Sequence, residues 1–129
     1  MAKQFTLGKD ERLKSRKSIE QLFTEGKKII VAPYRVLYIM ESNANTGSLL
    51  FAAGVSAKHF KKAVDRNRIK RLAREAWRLQ KNELAQKIAS TNTRLHVFFI
   101  YTGREIPEYD EVFKKTAIVL SKLEKLVAE

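Results

Sequence analysis

The stretch KHFKKAVDRNRIKRLAREAWR, residues 58–78, decides the fold. It holds nine Lys and Arg residues against Asp65 and Glu75, so it carries +7 of the chain's net charge of +12. At about 100° per residue, its apolar side chains share one stripe of a helix, which predicts one face packed on a core. The stripe consists of Ile69, Leu72, Ala73, Ala76 and Trp77. We expect a helix over residues 63–89, with Trp77 in the core.

Cations occupy the face beside that stripe. Arg66, Lys70, Arg74 and Arg78 follow each other at i, i+4 spacing, with Asn67 and Arg71 alongside. Like charges at this spacing cost an isolated helix a few tenths of a kcal/mol per pair, so their retention indicates an anionic partner. The planar guanidinium of Arg suits two-point contact with phosphate. A merely solubilising surface stays open as the alternative, although such a surface usually mixes both signs.

Length and composition narrow the class. The 129 residues, 44% of them hydrophobic, suit a single domain over 1–129 with a packed core. The chain has no cysteine, which excludes disulfides, thiolate metal sites and a cysteine nucleophile and fits a reducing cytoplasm. The longest apolar runs are strand-sized, far below the roughly 20 residues of a membrane span. We therefore expect a cytoplasmic protein without a membrane partner.

The predicted elements follow the order α-β-β-α-β-α, an α+β two-layer sandwich with a three- to four-stranded sheet. Ser15 is the predicted N-cap of the first helix, and Gly26 the left-handed residue after it. A polar turn at 42–48 is expected to close a hairpin between two strands, the second of which contains Gly54. The predicted helices cover residues 15–25, 63–89 and 110–127, and the strands cover 34–40, 49–56 and 95–101. The third strand is almost wholly apolar, which indicates a central position.

Asp110 is the predicted N-cap of the last helix, which is expected to turn one apolar stripe to the core. That stripe consists of Phe113, Ala117, Leu120 and Leu123.

The sequence lacks the residue patterns expected of an enzyme or of a DNA-binding helix-turn-helix protein. Catalysis by the protein itself would require clustered carboxylates or an oriented histidine, whereas His59 lies among lysines and His96 within an apolar strand. A DNA-binding helix-turn-helix is disfavoured, because a strand and a Lys-rich turn precede the basic helix. Charge alone leaves a structural RNA-binding protein, such as a ribosomal protein, as an open alternative.

One stretch of the sequence resembles a motif of a known protein family. AVDRNRIKRLAREA, residues 63–76, resembles the signature helix of the bacterial ribonuclease P protein family. ERLK at 11–14 with Ile19, Phe23 and Gly26 is similar to the family's first helix, and VLY at 36–38 to its first strand. GVS at 54–56 with Lys58 resembles the strand and turn before the signature helix. The chain departs from the family where Lys61 and Lys62 replace a common Gly, and where Ile19 replaces a common Phe.

The resemblance implies a ribonucleoprotein endonuclease that removes the 5′ leader of precursor tRNA. The RNA subunit would carry the chemistry and bind the catalytic Mg²⁺, and the protein would hold no metal alone and supply no catalytic residue. The partners would be ribonuclease P RNA and precursor tRNA, and the protein would be a monomer apart from the RNA. The implied fold is an α-β sandwich with a left-handed βαβ crossover.

The resemblance also implies two binding surfaces. The one for the RNA subunit consists of Arg66, Asn67, Arg68, Arg71, Lys58, Lys61 and Lys62. A cleft between the first helix and the sheet would bind the precursor leader through Ile19, Phe23, Tyr38, Lys70 and Arg74. Aromatic platforms beside a cationic track suit single-stranded nucleic acid. By pattern alone, Ile19, Phe23 and Tyr38 could equally be core residues.

Overall fold

The computed structural model describes residues 12–13, 15–42 and 47–127. Four helices and four strands follow along the chain. They are α1 (Arg16–Glu25), β1 (Lys27–Val31), β2 (Tyr34–Glu41), β3 (Ser48–Val55), α2 (Ala63–Gln80), α3 (Asn82–Thr91), β4 (Arg94–Tyr101) and α4 (Tyr109–Val127). The α+β class is confirmed, with β1 and the division between α2 and α3 as additions to the predicted order.

The sheet has the strand order β1-β2-β4-β3. β1 and β2 form an antiparallel hairpin whose turn contains the cis Ala32–Pro33 peptide bond. β4 is antiparallel to β2 and parallel to β3, to which α2 and α3 connect it. The predicted hairpin between β2 and β3 is therefore wrong, because β4 lies between them. Residues 43–46 of the predicted turn lie outside the described residues.

The main core lies between one face of the sheet and α2, α3 and α4. Trp77 is fully buried at its centre, stacked on Phe51 with ring centroids 4.5 Å apart and edge-on to Phe99 at 5.7 Å. Val36 and Val97 complete this face from the two central strands. The predicted core position of Trp77 and the central position of β4 are both confirmed.

The opposite face of the sheet is covered in part by α1. Leu22 of α1 is fully buried against Leu37, and Leu13 joins them from the segment before the helix. Phe98 and Ile100 of β4 are only partly buried beside this cluster. A single ten-residue helix thus leaves apolar sheet surface accessible next to it.

The ends of the helices show which local signals were correct. The predicted N-cap is confirmed, because Ser15 Oγ accepts a hydrogen bond from the Ser18 amide at 3.3 Å. The left-handed conformation predicted for Gly26 is wrong, since its φ is −70°. Glycine is required there for space, because a Cβ would collide with the carbonyl oxygen of Leu22. The N-cap predicted at Asp110 is wrong, because α4 begins at Tyr109 and Asp110 lies in its first turn, where an acid complements the helix dipole.

The buried face of α4 differs in part from the predicted stripe. Leu120 and Leu123 are buried as predicted, whereas Phe113 is 36% exposed and Ala117 is also exposed. Val112, Thr116 and Val119 complete the face that meets α2 and α3. The helix is rotated relative to the prediction, and Phe113 is left at the margin of the core.

His96 gives the fold a pH dependence. Burial, and then the charge of Arg94, lower the pKa of His96, while Glu41 acts in the opposite direction. The folded state therefore binds the proton less readily than the unfolded chain does. Stability should be complete above the unfolded pKa of about 6.5 and should fall as the pH drops below it.

Urea unfolding at about pH 7 and about pH 5 measures this effect. His96→Gln is expected to reduce the loss of unfolding free energy between the two pH values. His59→Gln, at an exposed position, serves as the matched control and should keep the wild-type loss. Equal losses in wild type and His96→Gln would show that His96 does not contribute.

Candidate nucleic-acid interface

A groove of about 680 Å³ opens at the β3 edge of the sheet. Its walls come from α1 and the segment before it, from the adjoining strands β3 and β4, and from the outer side of α2. The lining residues are Arg12, Leu13, Ile19, Phe51, Ala52, Ala53, Arg71, Arg74, Glu75, Arg78 and Phe98. The groove therefore joins the apolar sheet surface beside α1 to the charged side of the basic helix α2.

The segment before α1 is tied to the strand that forms the groove's edge. The Leu13 amide donates to the carbonyl oxygen of Phe51 at 2.8 Å, and Arg12 forms a parallel bridge with the same residue. Burial of Leu13 against Leu22 and Leu37 anchors this connection. The groove is thus bounded by paired backbone along β3.

Arginines from α2 give the groove its charge. Arg71 and Arg74 are exposed, whereas Arg78 donates through Nε and Nη2 to the two carboxylate oxygens of Glu75, at 2.9 and 2.6 Å. The Arg78 hydrogen bond lowers the pKa of the Glu75 carboxyl, which stays ionised at neutral pH. Arg78 is thereby paired with Glu75, and the exposed guanidinium groups of Arg71 and Arg74 form a cationic wall of the groove.

An aromatic pair lies beside that wall. Phe98 of β4 lines the groove, and Phe23 of α1 contacts it edge-to-face with ring centroids 5.6 Å apart. Phe23 is 58% exposed, so its ring is accessible to a partner beside the groove. Ile19, one turn earlier on α1, contributes apolar surface to the same groove.

The structure brings together most, but not all, of the residues predicted for the leader cleft. Ile19 and Arg74 line the groove and Phe23 adjoins it, while Lys70 is half-buried on α2 outside the lining. Tyr38 is 9% exposed and belongs to the core on the opposite face of the sheet. The predicted place of Tyr38 in the cleft is wrong, because the alternation of side chains along β2 turns Tyr38 away from α1.

The residues predicted for the RNA subunit lie at the start of α2 and in the turn before it. Lys58, Lys61, Lys62, Asn67 and Arg68 are exposed there. Arg71 lines the groove instead, so the two predicted surfaces meet along one helix. Arg66 is half-buried, and its Nη1 donates to the carbonyl oxygens of Phe60 and Lys61 at 2.7 and 2.8 Å.

Sequence reasoning missed several residues of the groove. Phe98 has a partial signal, since alternation in β4 places it with His96 and Ile100 on the face opposite Val97. Arg12 and Leu13 reach the groove only through tertiary pairing with β3. Arg78 was recognised as part of the cationic row, but its pairing with Glu75 depends on the side-chain conformations.

Metal-ligating side chains are not clustered in the described part of the chain. Among residues 12–13, 15–42 and 47–127, no group of three or more His, Cys, Asp or Glu side chains could hold one. In the groove the carboxylate of Glu75 is engaged by Arg78 and flanked by Arg71 and Arg74. This charge distribution favours an anion. No helix in the described part of the chain is long and apolar enough to span a membrane.

Exposed aromatic surface beside a cationic helix, in a domain of net charge +12, is typical of proteins that hold single-stranded nucleic acid. The class is thus a small basic α+β domain with such a groove. The chain belongs to the ribonuclease P protein family, because the family model Ribonuclease P matches residues 7–124.

Individual relatives agree with this assignment. The ribonuclease P protein component of Porphyromonas gingivalis is 37% identical over 108 residues, which cover 84% of this chain and 79% of that protein. The protein component of Nitrosococcus oceani is 39% identical over 82 residues, 64% of this chain and 66% of the relative.

Solved structures support the fold. The RNase P protein of Staphylococcus aureus superimposes with a TM-score of 0.64 at 20% identity, over 88% of this chain and 95% of that one. The Thermotoga maritima RNase P protein gives a TM-score of 0.60 at 24% identity, over 86% and 98%. These two similarities establish the shared α+β architecture.

Proposed function

We propose that this subunit of ribonuclease P binds both the catalytic RNA and the 5′ leader of precursor tRNA, and so promotes endonucleolytic removal of the leader. The observation that carries the proposal is the groove, which Phe98, Arg71 and Arg74 line and beside which the exposed ring of Phe23 contacts Phe98. RNA and precursor tRNA are then the partners of a cytoplasmic protein that is monomeric apart from the RNA.

Single-stranded RNA suits this groove for two reasons. An unpaired base can stack on an exposed aromatic ring, which is worth about 1–3 kcal/mol per base. The phosphates between bases can pair with arginine, whose planar group donates two parallel hydrogen bonds. Phe23 would provide the stacking surface, and Arg71 and Arg74 the phosphate contacts. Tyr38 has no part in this arrangement, because it lies across the sheet.

The exposed cations at the start of α2 suit the larger RNA partner. Lys58, Lys61, Lys62 and Arg68 project from one end of the helix, and Asn67 adds an amide for a base edge or a ribose hydroxyl. Contacts of this kind neutralise phosphates and release counterions, so the affinity should depend steeply on salt. The catalytic RNA and the leader would thus be held on adjoining parts of one helix.

The protein's contribution to the reaction is electrostatic and positional. The Mg²⁺ ions would be bound by the RNA, and Glu75, the carboxylate among the lining residues of the groove, is already paired with Arg78. Cations of this chain would offset repulsion between the phosphates of the two RNAs, which lowers the Mg²⁺ concentration needed for assembly. The chemistry then belongs to the RNA, and the chain needs no general base of its own.

Arg68→Ala tests the phosphate contacts of α2. Loss of one contact should lower the slope of log affinity for ribonuclease P RNA against log salt by roughly one unit. Lys122→Ala, which removes one exposed charge from α4, should leave the slope unchanged. An unchanged slope in Arg68→Ala would argue against a phosphate contact at this residue.

Equilibrium binding of substrates tests the leader role. The holoenzyme, assembled with ribonuclease P RNA from the same organism, is compared with the RNA alone for precursor tRNA and for the same tRNA without a leader. The protein is expected to raise affinity for the precursor and to leave affinity for mature tRNA nearly unchanged. An equal gain for both would contradict leader binding.

A further inference from the structure

Arg66 clamps the turn that precedes the basic helix. One guanidinium nitrogen, Nη1, donates to the carbonyl oxygen of Phe60 at 2.7 Å and to that of Lys61 at 2.8 Å. The Arg66 side chain is half-buried, whereas Asn67 and Arg68 beside it are exposed. This arginine is therefore engaged with the protein's own backbone, unlike its neighbour at 68.

The amino-acid composition of the turn, residues 56–62, disfavours a single ordered conformation. Lys58, Lys61 and Lys62 place three exposed positive charges within five residues, and these charges repel one another. Lys62 is the N-cap of α2 and makes no side-chain capping hydrogen bond. Within the turn, Ser56 Oγ accepts a hydrogen bond from the Lys58 amide at 3.2 Å, which fixes the first residues of the turn but not the end next to the helix.

Two further sets of contacts, one from Phe60 and one from Arg66, hold the turn. Phe60 is buried, with its ring centroid 6.2 Å from that of Tyr101, and its amide donates to the Ser56 carbonyl oxygen at 3.3 Å. Arg66 then binds the carbonyl groups of residues 60 and 61 from the first turns of α2. The three lysines are consequently displayed from a backbone fixed at its centre.

We propose that Arg66 is a positioning residue, which acts on RNA by holding Lys58, Lys61 and Lys62 in place and makes no phosphate contact itself. The inference deepens the proposed function and rests on it. A turn that is ordered before binding loses less conformational entropy when the lysines meet phosphates, so the clamp increases affinity. Arg68, two residues further along the helix, remains a direct contact.

Limited trypsin digestion of the isolated protein tests the clamp. Cleavage after Lys58, Lys61 and Lys62 is expected to accelerate about tenfold in Arg66→Ala, because hydrogen bonds from a charged donor are lost. Cleavage after Lys122 on α4 should keep its wild-type rate if the fold survives. Should Arg66→Ala unfold, Arg66→Lys, which retains the charge, replaces it with the same expectation at the turn. Unchanged cleavage at the turn in a folded variant would overturn the proposal.

Binding of ribonuclease P RNA tests the indirect role. In the native turn, Arg66→Ala should weaken affinity about tenfold. In a protein that already carries Lys58→Ala, Lys61→Ala and Lys62→Ala, Arg66→Ala should change neither affinity nor salt slope. A further loss of roughly one slope unit in that background would reveal a direct phosphate contact and overturn the proposal.

Arg68→Ala provides the comparison, since it should lower the slope in both backgrounds. Failure of the wild-type protein to bind the RNA would instead overturn the proposed function, and with it the RNA part of this inference. The trypsin result still decides separately whether Arg66 orders the turn.

Discussion

Trp77→Ala is expected to lower the free energy of unfolding by about 3–5 kcal/mol, the cost typical of truncating a large aromatic side chain in a core. Trp77 is fully buried, stacks on Phe51 and meets the edge of Phe99, so its removal leaves a cavity between α2 and the sheet. Small domains have a total stability of only about 5–15 kcal/mol. Equilibrium unfolding in urea, monitored by far-UV circular dichroism, measures the loss.

Val64→Ala is the matched control on the same helix. Val64 is 73% exposed, and surface substitutions of this kind usually change stability by about 0.5 kcal/mol or less. A loss below about 1 kcal/mol in Trp77→Ala would contradict the packing of α2 on the sheet through this side chain. Because α2 also carries the cations, conditions that unfold Trp77→Ala should abolish its RNA binding as well.

Phe23→Ala is expected to weaken holoenzyme binding of precursor tRNA by about five- to a hundredfold, which corresponds to the loss of one stacked base. Binding of mature tRNA should be unchanged. The side chain is 58% exposed and lies at the surface of α1, so its removal leaves the buried contacts of Leu22 intact. Competition between precursor and mature tRNA measures both affinities in one experiment.

Phe113→Ala makes the same chemical change elsewhere on the surface. Phe113 is 36% exposed on α4, which packs on the other side of the sheet from α1. It should have no effect on either substrate. If Phe23→Ala weakened binding of precursor and mature tRNA alike, the exposed ring of α1 would not be a leader contact.

Local pattern was sufficient for the elements that carry their own signal. Helical spacing in α2 correctly separated Trp77 in the core from the exposed arginines, and Ser15 correctly marked the start of α1. The nearly continuous apolar character of β4 correctly predicted a central strand. In each case the position of the residue is determined by one face of its own element or by one hydrogen bond within the segment.

Elements that depend on distant partners were missed. β1 is five residues long and begins with Lys27 and Lys28, so its strand character comes from pairing with β2 and not from its own pattern. The sequence placed β2 and β3 side by side because they are consecutive, whereas β4 separates them. Strand order is a property of the whole sheet, and a short polar turn does not determine it.

The candidate site shows the same division. Helical spacing predicted the cations of α2, and the family resemblance supplied Phe23, which by pattern alone could have been a core residue. Tyr38 was placed in the cleft without knowledge of which sheet face α1 covers. Phe98 and the Arg66 hydrogen bonds appear only when segments far apart along the chain, or side-chain conformations, are known.

The most direct test is single-turnover cleavage of precursor tRNA by ribonuclease P RNA from the same organism at low Mg²⁺, with and without this protein. The proposed role predicts marked stimulation by the protein and no cleavage by the protein alone. Tight binding of the RNA without stimulation would contradict that role and favour a structural RNA-binding function. Cleavage by the protein in the absence of RNA would contradict the assignment of the chemistry to the RNA subunit.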